Sequence, residues 1–307
     1  MQVLVTGATG FVGSALTQAL VDGGHQVQAM TRRPDDYEGP GTPVAGDMSD
    51  ETSLRQALAG VDVAYYLIHS LSSKDFEEED AAGATAFGAA AAAQGVGQIV
   101  YLGGLGDEAD GLSPHLRSRR EVEALLGADG VPVTVLRAAI VVGRGGISWE
   151  MTRQLVDRLP LLVAPSWAQT RTQPIALADA VTYLVGVLDE PRALGRVFEI
   201  GGADVVTYED MLVRAAKIQN GADVALVSVP LPENDLVDAV VARASSYGLA
   251  ALTEVDVDTA KNLIESMSTE VVVSDDAISG VVDLQPMGYD EMVRVALGDR
   301  GREGQAV

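Results

Sequence analysis

Along the first 140 residues, short apolar runs alternate with stretches whose apolar positions recur every three to four residues. The runs fall at 3–6, 26–31, 61–68, 98–102 and 131–142 and read as strands. The stretches between them, near 11–22, 51–59, 75–94 and 116–126, read as helices, the first closed by Gly23 and Gly24. Strands alternating with helices predict an α/β fold with a doubly wound parallel sheet. Such a sheet binds ligands at the carboxyl ends of its strands. From about residue 143 the rhythm loosens, where Gly143, Gly145 and Gly146, then Pro160, Pro165 and Pro174, mark loops. Helices are expected again near 177–188 and 208–218, the second opened by Thr207 and Asp210 in capping-box spacing. An apolar strand is expected at 224–229, and the polar residues 298–307 are expected to fray.

The sharpest chemical signal is Thr6-Gly7-Ala8-Thr9-Gly10-Phe11-Val12-Gly13. It follows the first strand directly and opens the first helix, the context a dinucleotide-binding turn requires. Gly7 is expected to make the tight turn, Gly10 to let a pyrophosphate approach the backbone, and Gly13 to bring helix and sheet close. The free N–H groups and positive dipole end of the helix supply the anion site. The alternative is a glycine-rich turn with a structural role only. The second strand runs into Arg32 and Arg33, where an NAD site carries an acidic residue for the ribose 2′-hydroxyl. Guanidinium groups suit a 2′-phosphate, so the sequence favours NADP(H) over NAD(H). Alternatively, both arginines are solvated and pair with Asp35 and Asp36.

Charge narrows the partners. There are 44 acidic residues against 21 basic, a formal charge of −23, and only three lysines. Phosphate backbones and anionic membranes would be repelled, which argues against nucleic-acid and membrane binding. The acidity fits a salty cytoplasm, or equally a GC-rich coding bias. With no cysteine there is no disulfide framework, zinc ribbon or thiol nucleophile, which fits a reducing compartment. No basic-then-apolar leader and no apolar stretch of roughly 18–20 residues is present, so a cytoplasmic location is expected. The three histidines lack metal-ligand spacing, and no metal is expected. No nucleophile elbow or Walker lysine is found. The expected partner is a small-molecule substrate, and the expected state is monomer or homodimer.

The N-terminal turn resembles the TGxxGxxG turn of extended and atypical short-chain dehydrogenases/reductases. Asp47 and Met48, within Gly46-Asp47-Met48-Ser49-Asp50, resemble the pair with which family members hold the adenine. The runs at 65–70, 101–106, 113–121, 173–175 and 198–202 are similar to an NmrA-like, epimerase/dehydratase-like branch. The resemblance extends from residue 1 to about 297. It implies a Rossmann fold with a small C-terminal α+β substrate-side lobe. Residues 1–143, with returning segments near 172–202, would bind NADP, and 144–171 and 203–297 would form the lobe. It implies cofactor contacts along the turn at Gly7, Thr9, Gly10, Phe11, Val12 and Gly13. Further contacts are implied at Leu67, His69, Gly103 and Ala139. Trp149, Trp167 and Arg171 are candidates for substrate contact, and each tryptophan is equally readable as a packing residue.

Active members of the superfamily pair a Tyr-x-x-x-Lys motif with a Ser or Thr after the fifth strand. None of the eight tyrosines here has a lysine four residues later. The frame at 113–121 puts His115 at the tyrosine position and Arg119 at the lysine position. Gly103 and Gly104 stand where the hydroxyl residue belongs. An imidazole with a pKa near ~6.5 suits a general acid at neutral pH, with Arg119 on the ribose hydroxyls. The alternative is that His115 caps the helix start after Pro114 and Arg119 pairs with Glu123. His69, ending the fourth strand, either touches cofactor or substrate or is an ordinary strand-end polar residue. The acidic run at 77–80 reads as favouring a helix N-terminus. These readings together imply an atypical NADP(H)-dependent oxidoreductase acting on a small carbonyl or enone-like compound. The alternatives are a non-catalytic NADP(H)-binding sensor or assembly factor, and a sugar-nucleotide epimerase or dehydratase.

Overall fold

The strand β1 (Gln2–Val5) sends Val3 and Val5 into one hydrophobic cluster and Leu4 into another. This is the period-2 alternation of a strand covered on both faces. β4 (Val63–Tyr66) and β5 (Gln98–Gly104) do the same, with Tyr65 and Val100 on one face and Tyr66 and Tyr101 on the other. The computed structural model describes residues 1–70, 73, 75–107, 111–158, 161–164, 166–221, 225–228 and 266–302. Within it β2 (Gln26–Thr31), β3 (Thr42–Ala45), β6 (Val133–Ala138) and β11 (Val197–Ile200) complete a seven-stranded sheet. Its order is β11-β6-β5-β4-β1-β2-β3, and every pairing is parallel. The chain reverses direction across the sheet between β1 and β4, the place where such folds hold ligands.

One face is covered by α1 (Phe11–Asp22) and α6 (Leu177–Gly186). The other is covered by α2 (Glu51–Ala57), α3 (Phe76–Gln94) and α4 (Pro114–Leu126). A separate cluster gathers α5 (Ile147–Arg158), α7 (Tyr208–Asn220) and α8 (Tyr289–Arg302) around Trp149, Tyr208, Met211 and Tyr289. Buried Gln98 is satisfied on both sides: it donates to Thr134 Oγ1 and Val187 O, and its Oε1 accepts from Asp189 N. It thereby ties β5 to the end of α6.

Several elements differ from the sequence expectation. The run at 61–68 is strand only at Val63–Tyr66, because Leu67 N donates to Thr6 Oγ1 at 2.9 Å instead of continuing the ladder. The run at 131–142 breaks after Ala138, and β7 (Val141–Val142) pairs with β10 (Ile175–Ala176) outside the main sheet. β9 (Arg171–Thr172) pairs antiparallel with β12 (Val206–Thr207), and the apolar strand near 224–229 is β13 (Ala225–Ser228), parallel to β8 (Leu161–Ala164). Helix α8 continues to Arg302, past the expected start of the frayed tail, and 303–307 lie outside the described residues. No described helix is long and apolar enough to cross a membrane.

Candidate active site

The turn between β1 and α1 is built so that only glycine fits at two positions. Gly7 has φ +63°, and a Cβ there would lie 2.9 Å from Leu67 O. A Cβ on Gly13 would lie 2.1 Å from Gly7 O, so Gly13 packs against the turn itself rather than merely against the sheet. At Gly10, the N-cap of α1, an added Cβ would meet only Gly7 O, at 3.1 Å. No acidic residue lies in the first turn of α1, in a chain with 44 acids. A backbone cradle at an acid-free helix start fits a dinucleotide's phosphates, since its N–H groups and dipole favour an anion.

The turn opens onto a cavity of about 690 Å³. One wall is the carboxyl edge of the sheet. It includes Gly7, Thr9, Gly10, Phe11, Val12 and Gly13 after β1, Leu67 and His69 after β4, Gly103 in β5 and Ala139 after β6. His115 and Arg119, four residues apart and hence on one face of α4, line it as well. Both residues line the same space as the glycine turn.

His69 and His115 come together, with ring centroids 6.2 Å apart and planes at 65°. Desolvation, the Arg119 charge and the other histidine push the His69 pKa down to about 3, although the residue as a whole is exposed. Desolvation and Arg119 push His115 down to about 4. Both imidazoles are therefore neutral at pH 7. This corrects the expectation of an imidazolium donor: burial and a fixed neighbouring cation penalise the charged form. What His115 offers at neutral pH is a neutral N–H.

His115 does not cap α4 either. Ser113 does, accepting from Leu116 N at 3.3 Å. Nor does Arg119 pair with Glu123: it donates to Leu102 O and lies over the Tyr101 ring, 4.9 Å from its centroid. Glu123 instead joins Arg120 at 2.9 Å and Arg137 at 2.6 Å, and Arg120 also donates to Gly104 O and Gly106 O. Adjacent arginines thus hold alternate carbonyls, of residues 102, 104 and 106, where β5 ends.

Six singled-out residues lie off the cavity lining. Trp149 is 2% exposed in the α5–α7–α8 cluster, a packing residue and not a cavity wall. Arg171 is bound by Glu270 at 2.7 Å on the surface. Arg33, 82% exposed, faces Asp36 at 3.8 Å, and Arg32 is exposed beside it. Asp47 accepts from Ser49 N and Oγ; these bonds, with the nearby Arg32 charge, hold its carboxyl below the usual range. So Arg32 and Asp47 share the edge formed by the ends of β2 and β3. Met48 packs beside Gly83 of α3. Trp167 does line the cavity, edge-on to Tyr208 at 6.1 Å.

Sequence reasoning missed Asp80 and Tyr208. Asp80 closes the acidic run at 77–80, yet it is buried and accepts from Ser70 N at 2.9 Å. Burial raises its pKa, and the Arg119 charge opposes the rise. The apolar neighbours at 76, 83, 84 and 87 mark the inward face of α3 and place Asp80 on it. Tyr208 lines the cavity from the first turn of α7, and desolvation raises its pKa.

The fold and the turn match those of NAD(P)-binding epimerases and reductases. Residues 7–155 match the model of the NAD(P)H-binding family. The chain is 30% identical over 226 residues to mitochondrial NADH dehydrogenase (ubiquinone) 1 alpha subcomplex subunit 9 of Arabidopsis thaliana. That alignment spans 67% of this chain but only 55% of the plant protein. It is 28% identical over 220 residues to (4-alkanoyl-5-oxo-2,5-dihydrofuran-3-yl)methyl phosphate reductase of Streptomyces griseus, covering 70% of this chain and 73% of that one. In fold it is similar to the Citrobacter sp. triphenylmethane reductase complexed with NADP(H). The TM-score is 0.76 at 18% identity, over 96% of this chain and 100% of that one.

Proposed function

We propose that this chain is an NADP(H)-dependent reductase of carbonyl or enone-like compounds. The observation that carries the reading is the convergence of the glycine turn, His115 and Arg119 on one cavity. The turn and the start of α1 would hold the pyrophosphate, with Arg32 and Arg33 on a 2′-phosphate and Arg119 toward the ribose. When bound, the reduced dinucleotide supplies hydride. His115, neutral at pH 7, directs its N–H at the substrate oxygen and stabilises the charge that develops there. A neutral imidazole is a poor proton source, so the proton that completes the alcohol comes from water in the cavity. The test is to follow NADPH absorbance with a panel of ketones and enones, in the native protein and in His115→Ala. Turnover that depends on His115 supports the reading.

A second reading is a cofactor-binding sensor or assembly component. It is favoured by the missing Tyr, Lys and Ser, and by the plant relative's name as a subunit of a larger enzyme. It expects NADPH to bind without being oxidised by any carbonyl.

A further inference from the structure

Facing the sheet edge, the cavity's second wall is made by Met151 and Leu155 of α5, Trp167, Met211 and Leu212 of α7, and Met267. Three methionines from three separate segments therefore meet one space. Among the described residues no acidic side chain lines the cavity, and Arg119 is its one cation. That cation already donates to Leu102 O and rests on Tyr101. Both lining histidines are neutral at pH 7. A carboxylate or diphosphate against this wall would lose its water and gain no cationic partner beyond Arg119. Unbranched, polarisable methionine side chains adapt to long alkyl or flat conjugated bodies.

Resting on the reductase reading, we infer that the substrate is an uncharged carbonyl compound with an extended apolar body, which lies along the methionine wall while its oxygen faces His115. A sugar nucleotide does not suit this wall, because Arg119, the one cation of the described lining, already donates to Leu102 O and rests on Tyr101. Small polar aldehydes would leave the wall in contact with water.

Calorimetry on the NADP-loaded protein with methyl ketones from butanone to decanone tests the inference. Affinity is expected to rise roughly fourfold for each added methylene, the usual gain for burying one. The same chain ending in a carboxylate is expected not to bind. Leu155→Trp, checked by circular dichroism, should narrow the wall and lower decanone affinity at least tenfold while weakening butanone far less. Equal affinity for butanone and decanone, or tight binding of the carboxylate, would overturn the inference. NADPH oxidation by the same ketones separates this proposal from the reductase reading. Length-dependent binding without oxidation supports the apolar wall and refutes the reductase. Oxidation at rates indifferent to length does the reverse.

Discussion

A side-chain carbon at position 104 would lie 2.7 Å from Leu116 Cδ2, so Gly104 and Leu116 divide one space between them. In the superfamily that the sequence resembles, a hydroxyl residue stands near this place. Here the first turn of α4 has moved an apolar side chain into it. Restoring the hydroxyl alone should therefore fail. Gly104→Ser is expected to destabilise the fold by about 1–3 kcal/mol, the usual cost of overpacking. Adding Leu116→Ala should recover part of that loss. Urea denaturation of the single and double variants would show the coupling, and simple additivity would refute it.

The glycine turn yields a paired prediction. Gly13→Ala puts Cβ within 2.1 Å of a backbone carbonyl, so the turn must distort and both stability and cofactor affinity should fall. A Cβ at Gly10 meets only one atom, at 3.1 Å, so the fold of Gly10→Val should survive while dinucleotide binding collapses. Circular dichroism beside NADPH titration separates the two. Retained affinity in Gly10→Val would leave the turn a structural role only.

Cofactor choice rests on the exposed pair after β2. NADPH should bind more tightly than NADH, and replacing Arg32 and Arg33 together with alanine should remove the preference. Two charge-assisted contacts correspond to about 2–4 kcal/mol. Equal affinity for both cofactors in the native protein would refute the assignment.

The histidine pair sets a pH signature. His115, with its folded pKa near 4, stays neutral while the unfolded chain protonates near ~6.5. The unfolded state thus binds more protons between these values. The stability contribution of neutral His115 is full above pH ~6.5 and is lost as pH falls toward 4. One such group supplies at most about 1.4 kcal/mol per pH unit. Turnover should be nearly flat from pH 6 to 8 and should fall at least ~10²-fold in His115→Ala. Proton NMR that finds His115 titrating near 6.5 would contradict the neutral-imidazole role.

The alternating core was legible because period-2 burial needs no tertiary information: Val3, Leu4 and Val5 already declare two covered faces. The edge strands were harder. β3 contains Pro43 and is largely exposed, so it shows neither the apolar run nor the alternation of a central strand. β11 alternates exposed and buried residues over four positions, too short to read by period alone. The turn chemistry was legible since sequence neighbours make the turn. The meeting of His69 and His115 was not, because it depends on how far β4 and α4 reach past the sheet. Asp80 was passed over for a similar reason. Glu77, Glu78 and Glu79 do fall in the first turn of α3, as the acidic run suggested, while helix rotation turns the fourth acid inward. Trp149 and Trp167 look alike in sequence, and only the packing of α5 against α7 decides which one reaches the cavity.

The acid-free first turn of α1 sits in a molecule carrying −23 overall. An approaching polyphosphate therefore meets repulsion at long range and attraction only over the last few ångströms. The two ranges respond differently to ionic strength, since the screening length is about 10 Å at 0.1 M and about 3 Å at 1 M. Added salt removes the distant barrier first, so cofactor association should quicken in brine, the reverse of a basic dinucleotide-binding protein. Dissociation should quicken too as the arginine contacts weaken. The protein would then exchange its cofactor faster at high than at low salinity.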